Sequence, residues 1–167
     1  MPPLIVTLDL DADTQDRFDQ LRTRYFPARR NVLSAHVTLF HALPGEREDE
    51  VADLLHRLSD RSPIPVEVSR VRLLGKGVAF DLAAPDAARL REQVADRFRA
   101  DLTRQDGQRQ RLHVTVANKL EPEKAREIAD ELSAGFRPSR ATAVAVSLYR
   151  YRGGPWEHVA TFPFGGG

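Results

Sequence analysis

Apolar residues recur along the chain with two spacings, the two-residue spacing of strands and the three-to-four-residue spacing of amphipathic helices. In the first half they predict a strand, a helix, a second strand, a second helix and a hairpin that turns at Gly75-Lys76-Gly77. Asp13 or Thr14 is the predicted N-cap of the first helix. The predicted elements are Leu4–Leu10, Asp13–Phe26, a strand at 34–40, Glu46–Asp60, Val66–Leu74 and Val78–Leu82.

The second half repeats this order of elements. Its first strand resembles the opening strand, and a polar, basic loop again precedes its second strand. The predicted elements are Val78–Leu82, Asp86–Ala100, a strand at 111–117, Glu123–Phe136, Ala143–Tyr151 and Trp156–Phe164. The pattern predicts an α+β fold made of a duplicated β-α-β-α-β unit. Its halves fall at about residues 1–75 and 76–167 of a single bilobal domain, 1–167.

Each half carries the same four-residue pattern at an equivalent place, His36-Val37-Thr38-Leu39 and His113-Val114-Thr115-Val116. Side chains alternate across a strand, so the histidine and the threonine of each copy share one face. The apolar residues of each copy share the other face, which the helices would cover. If a two-fold relates the halves, the polar faces meet across a cleft lined by two histidines and two threonines.

Such a cleft suits the cleavage of a phosphodiester. An imidazole has an unperturbed pKa of about 6.5, so it acts as a base or as an acid near neutral pH. In-line displacement at phosphorus needs one of each on opposite sides, and a threonine hydroxyl can donate to a non-bridging oxygen. A catalytic zinc site usually has a third protein ligand, which the strand pattern does not supply, so no metal is expected. The alternative is that both copies lie on solvent-facing strand surfaces and have no catalytic role.

Composition limits the other possibilities. The formal net charge of +1 gives no global attraction to nucleic acid, so any such contact is local. Cysteine is absent, which removes disulfides and thiolate sites and fits a reducing cytoplasm. The N-terminus lacks the features of a signal peptide, and no apolar stretch approaches ~18 residues. We expect a cytoplasmic protein without a membrane span.

The paired motifs resemble the twin HxTx signatures of the two-histidine phosphoesterase superfamily, most closely those of the 2′-5′ RNA ligase / RNA 2′,3′-cyclic phosphodiesterase group. The resemblance implies two lobes with antiparallel sheets around a central cleft. It also implies metal-independent hydrolysis of 2′,3′-cyclic phosphates to a 2′-phosphomonoester. We expect RNA ends or small cyclic nucleotides as substrates, no cofactor, and a monomer. His36 and His113 would then be the acid–base pair, with the assignment of base open, and Thr38 and Thr115 would hold the phosphate.

Three further residues are candidates for substrate binding. Arg111 shares a face with His113 and either binds a phosphate oxygen or is an ordinary solvated arginine. Lys119 falls where relatives often have a basic residue after the second motif. Phe40 continues the face of His36 and either stacks on a base or closes the core at the end of the strand.

Other aromatic and basic residues have two interpretations each. Aromatic residues beside the Gly153-Gly154-Pro155 turn form a stacking platform or pack across strands: Tyr149, Tyr151 and Trp156. Arginines in the loops before the motifs steer a polyanion or are solvated: Arg29, Arg30, Arg104 and Arg109. The remaining histidines are expected to be structural: His41, His56 and His158. His41 in particular is an odd number of residues from His36, so it should point away from the cleft or leave the strand.

Three alternatives to cyclic phosphodiesterase activity stay open. The enzyme could cleave or form a 2′-5′ phosphodiester in RNA. The chain could be a non-catalytic module that binds RNA ends, although a binder would tolerate Asn or Gln at either histidine. A metal-dependent hydrolase would lose its activity to a chelator.

Overall fold

The computed structural model describes residues 1–26, 33–109 and 111–165. Within them, seven antiparallel strands form one sheet in the order β2-β1-β6-β3-β4-β5, and β7 also pairs with β6. The strands are β1 Leu4–Leu10, β2 Val37–Leu43, β3 Ile64–Leu73, β4 Val78–Ala83, β5 His113–Ala117, β6 Ser139–Arg150 and β7 Glu157–Pro163. The predicted α+β class is confirmed. Its two antiparallel sheets are the two ends of this sheet, joined where β3 pairs with the start of β6.

The helices follow the predicted amphipathic stretches, with one addition. They are α1 Ala12–Tyr25, α2 Glu48–Leu58, α3 Pro85–Arg97, α4 Arg104–Gly107 and α5 Pro122–Ala134. The N-cap of α1 is Asp11, not Asp13 or Thr14: its carboxylate accepts a hydrogen bond from the Thr14 N–H at 3.2 Å. The short α4 forms in a stretch predicted to be a loop, and none of the described helices is long and apolar enough to cross a membrane.

The hydrophobic core lies between the helices and one face of the sheet. The apolar stripe of each long helix is buried there, as its spacing predicts. Representative core residues are Phe18 of α1, Val51 and Leu55 of α2, Leu90 and Val94 of α3 and Ile128 of α5. The other face of the sheet therefore remains for polar side chains.

The two halves of the duplicated unit exchange their last strands. The first half supplies β1-α1-β2-α2-β3 and the second supplies β4-α3-α4-β5-α5-β6, with β7 added at the end. However, β3 pairs with β4 of the second half, and β6 pairs with β1 of the first half. Because of this exchange, the first histidine strand, β2, lies in a group completed by β6 of the second half. The second, β5, lies in a group completed by β3 of the first half.

A β-bulge follows the first histidine motif. Thr38 of β2 lies opposite Thr7, but the next residue of β1, Val6, lies opposite Phe40, so Leu39 is an extra residue. An extra residue shifts the two-residue alternation by one position. As a result Phe40 is buried in the core together with Leu39. His41 then lies on the face of the strand that carries His36 and Thr38.

The second histidine strand contains a bulge at the equivalent place. Thr115 lies opposite Ala79 and Ala117 lies opposite Val78, which makes Val116 the extra residue. Val116 and Ala117 are both fully buried, although strict alternation would place them on opposite faces. The duplication therefore includes this local distortion, which interrupts the alternation of each strand just after its threonine.

Candidate active site

Both motif histidines are held by the same hydrogen bond. The Nδ1 atom of His36 lies 2.8 Å from the carbonyl oxygen of Ser34, and that of His113 lies 2.8 Å from the carbonyl oxygen of Arg111. A carbonyl only accepts, so each imidazole donates from Nδ1 when it is neutral. Nε2 is then the ring nitrogen left for proton transfer in both halves.

The structure brings the two histidines of the motifs and a third, His41, into one region. A cavity of about 750 Å³ opens beside His113. The residues that line it are His41, Arg72, Gln105, Arg109, Arg111 and His113. Burial is the largest cause that lowers the pKa of His36; the hydrogen bond to the Ser34 carbonyl opposes it, and the proximity of Arg22, His113 and His41 lowers the pKa further. His36 is therefore near enough to both other imidazoles to interact electrostatically with them.

Aromatic residues of the last hairpin cover His36. The indole of Trp156 meets the imidazole edge-on, with ring centroids 4.8 Å apart, and Tyr149 packs on the same indole at 5.5 Å. Tyr151 is exposed instead. Tyr149 and Trp156 therefore pack on each other, as one of the two interpretations expected, and Trp156 lies against His36. Stacking of a base on these rings stays a prediction.

A buried carboxylate lies directly opposite His113 on the adjacent strand. This residue, Asp81 of β4, accepts hydrogen bonds from Arg70 at 2.7 Å and Arg72 at 2.8 Å, and Arg111 lies 3.7 Å away. Burial alone would raise the pKa of Asp81, but the two arginine hydrogen bonds outweigh it and hold the pKa below its usual value. The arginines on this side of the cleft are therefore fixed in place by a charged partner.

The equivalent aspartate of the first half has a different environment. Asp9 of β1 accepts hydrogen bonds from the hydroxyls of Thr7 and Ser147 rather than from arginines. Burial raises the pKa of Asp9, and these hydroxyls lower it only in part. The two sides of the cleft thus share a backbone plan but differ in charge: one is rich in arginine, and the other is made of hydroxyls and aromatic rings.

Two buried arginines support the bulges that end the motifs. Arg22 of α1 donates from Nη1 to the carbonyl oxygen of Thr115 at 2.8 Å, and Arg91 of α3 donates from Nε to that of Leu39 at 2.9 Å. Both are almost fully buried, and each joins a helix of one half to the histidine strand of the other. The sequence signal was their place on the apolar stripe, four residues after Phe18 and Ala87 respectively.

The prediction that His41 points away from the cleft is wrong, because the bulge at Leu39 reverses the alternation. Its Nδ1 lies 3.2 Å from the carboxylate of Asp106, which is fully buried and also accepts the backbone N–H groups of His41 and Ala42. Sequence reasoning missed Asp106. The available signal was its spacing from Thr103, whose hydroxyl caps α4 by accepting the Asp106 N–H.

Two candidates for substrate binding lie outside the lining of the cavity beside His113. Phe40 is fully buried, with the guanidinium of Arg91 4.5 Å from its ring centroid, so it closes the core and offers no ring face to a base. Lys119 is exposed in the turn after β5, with a φ of 58°. It does not line the cavity beside His113, and its contact with the phosphate stays a prediction.

The remaining candidates have separate places. Arg111 and Arg109 line the cavity with His113, whereas Arg104 is exposed on α4. Arg29 and Arg30 lie outside the described residues. His56 is exposed on α2, and His158 lies beside Thr161, with Nε2 2.8 Å from its hydroxyl. Among the described residues, no group of three or more His, Asp or Glu side chains could hold a metal ion.

Comparison with known proteins identifies the family. A search of curated proteins finds no match. The structure of TT0787 from Thermus thermophilus superposes with a TM-score of 0.70 at 16% identity, over 97% of each chain. The structure of E. coli LigT complexed with 3′-AMP gives 0.67 at 15% identity, over 98% of each chain. These two likenesses concern the fold. The family model described as the 2′-5′ RNA ligase superfamily matches residues 10–155, both motifs included, and the chain therefore belongs to that superfamily.

Proposed function

We propose that this protein is a phosphodiesterase that hydrolyses 2′,3′-cyclic phosphates, at RNA ends or on nucleotides, to a 2′-phosphomonoester. The observation that carries the proposal is the matched pair of imidazoles, His36 and His113, each with Nδ1 bonded to a backbone carbonyl. Family membership supports phosphodiester chemistry. LigT of E. coli, which shares the fold, has been crystallised with 3′-AMP, ATP and NADP⁺.

In this scheme His36 is the general base. Its lowered pKa favours the neutral imidazole at pH 7, which is the form that a base needs. Nε2 of His36 takes a proton from water as the water oxygen attacks phosphorus. The bond from phosphorus to the 3′-oxygen breaks, and His113 gives that oxygen a proton from Nε2. One proton enters His36 and one leaves His113, and the solvent restores both.

The threonine hydroxyls bind the phosphate in the same scheme. Thr38 and Thr115 lie two residues after the histidines, on the same strand faces, and both are half-buried. Each hydroxyl donates to a non-bridging oxygen, on which negative charge grows in the transition state. The bulge after each threonine places two consecutive apolar residues in the core, so the hydroxyl is the last polar side chain of its motif.

A second candidate is cleavage or formation of a 2′-5′ phosphodiester, which the name of the family favours. The same acid–base pair would act, with a nucleoside hydroxyl in place of water or of the departing oxygen. Binding of RNA ends without turnover remains as the non-catalytic alternative.

The test is hydrolysis by the wild-type protein in excess EDTA. The substrates are each 2′,3′-cyclic mononucleotide, a short RNA with a 2′,3′-cyclic end, and a 2′-5′-linked dinucleotide. We expect the cyclic substrates to give 2′-phosphates. Cleavage of the dinucleotide alone would favour the second candidate, and RNA binding without any turnover would favour the binding module. Activity that EDTA removes and a divalent cation restores would instead favour a metal-dependent hydrolase.

A further inference from the structure

The cavity beside His113 holds chemistry that the acid–base pair does not use. We propose that it is a second anion subsite, which binds the 5′-phosphate of the nucleotide that carries the cyclic phosphate. The preferred substrates are then RNA ends or 5′-phosphorylated cyclic nucleotides, and cyclic nucleosides without a second phosphate are poor ones. This inference rests on the proposed function, since it names the substrate class of the same site.

The charge of the lining favours an anion. Three arginines line the cavity, Arg72, Arg109 and Arg111, and its described lining includes no carboxylate. Guanidinium groups bind phosphate oxygens through paired, charge-assisted hydrogen bonds. The volume of about 750 Å³ lies within the range of small-molecule sites and exceeds what one phosphate fills. A nucleotide phosphate and part of its sugar can therefore enter together.

Buried polar groups hold this lining in place. Asp81 fixes Arg72 through a hydrogen bond of 2.8 Å. Asp106, fully buried, fixes the ring of His41 through Nδ1, so Nε2 is the ring nitrogen left to meet a ligand. Buried Arg91 donates to the carbonyl oxygen of Asp106 at 2.7 Å, which ties α4, and with it Gln105, to the sheet. A subsite whose groups are ordered before binding loses less entropy on binding.

The different composition of the His36 side determines the orientation in which the substrate binds. At the position equivalent to Asp81, Asp9 is surrounded by hydroxyls rather than arginines, and Trp156 covers the neighbouring His36. A second phosphate would find no guanidinium partner among the described contacts of Asp9 there. We therefore place the additional phosphate on the His113 side and the uncharged part of the substrate on the His36 side.

The test compares two substrates that differ by one group, adenosine 2′,3′-cyclic phosphate with and without a 5′-phosphate. The measured quantity is the ratio of their kcat/KM values. We expect the wild type to prefer the 5′-phosphorylated compound by at least about 10-fold, the effect of one or more charge-assisted hydrogen bonds. Arg109→Gln should lower that ratio by about 5- to 10-fold. His41→Asn, which keeps an N–H donor for Asp106 but removes Nε2, should also lower it.

The control is Arg126→Gln, which removes an equal charge from the exposed face of α5 and should leave the ratio unchanged. A wild-type ratio near one, or an equal fall in the control, overturns the subsite. Turnover of neither compound means that the proposed function has failed. The subsite is then decided by calorimetry with the same two compounds: tighter binding of the 5′-phosphorylated one that Arg109→Gln abolishes supports it, and equal binding overturns it.

Discussion

The indole of Trp156 lies edge-on against the imidazole of His36, with ring centroids 4.8 Å apart. This contact comes from the turn between β6 and β7, far along the chain from the motif. Burial is the largest cause of the lowered pKa of His36. Trp156 therefore helps to set the fraction of neutral His36 at a given pH, in addition to shaping the cleft.

Replacing Trp156 by Ala should shift the pH dependence of the reaction. The change exposes His36 to water, so its pKa should rise toward the ordinary value of about 6.5. A base must be unprotonated, so the acidic limb of kcat/KM against pH should move to higher pH in the variant. Tyr151→Ala, which removes an exposed aromatic ring near the same turn, is the matched control. An acidic limb that stays in place would contradict the role of Trp156 or the assignment of His36 as base.

The isosteric changes Thr38→Val and Thr115→Val should each lower kcat/KM by about 10- to 100-fold, the effect of one hydrogen bond to a charged group. Valine fits a strand as well as threonine does, so thermal unfolding should show little change. Thr23→Val, on the exposed side of α1, serves as control. Activity that survives in both motif variants would mean that the hydroxyls do not touch the reacting phosphate.

Asp81→Asn should destabilise the fold at pH 7 by about 1–3 kcal/mol, because the buried carboxylate receives hydrogen bonds from Arg70 and Arg72. The lower end is expected, since Arg70 is 55% exposed and its bond is weakened by water. The pKa of Asp81 is lowered in the folded state. Its contribution is thus complete above the unfolded pKa of about 3.9 and is lost as the pH falls through the folded pKa.

Denaturant unfolding of wild type and variant, at pH 7 and at successively lower pH, tests this. The difference between the two proteins should shrink below about pH 4. Asp9→Asn is the matched comparison, because burial raises the pKa of Asp9 and makes its ionised form costly at neutral pH. It should therefore cost less than Asp81→Asn at pH 7. An equal loss of unfolding free energy in both variants would contradict the electrostatic difference between the Asp81 and Asp9 sides of the cleft.

Periodicity alone predicts the scaffold well, because helices and strands each bury one face. The observed bounds of β1, Leu4–Leu10, match those predicted, and α1 differs by one residue at each end. The twin motifs lie at equivalent places in both halves, so the sequence also predicted that they belong to one site. Alternation further predicted that Arg111 shares a face with His113, and the two residues do line one cavity.

What the sequence could not reveal depends on distant partners. The bulge at Leu39 shows only in the pairing of β2 with β1, so alternation misplaced His41. Arg22 and Arg91 stand on apolar stripes, but the carbonyl groups that they satisfy belong to strands of the other half. The helix α4 has only four residues, too few for a periodic signal. The contact of Trp156 with His36 likewise depends on how the halves meet.

The central claim is that His36 and His113 work as one acid–base pair. The measurement is kcat in excess EDTA on a short RNA with a 2′,3′-cyclic end, for wild type, His36→Ala, His113→Ala and the double variant, with the exposed His56→Ala as control. Each single change should cost at least ~10²-fold, and the double variant should lose little more, because either loss already breaks the proton transfer. A folded single variant with activity near that of the wild type would contradict the account.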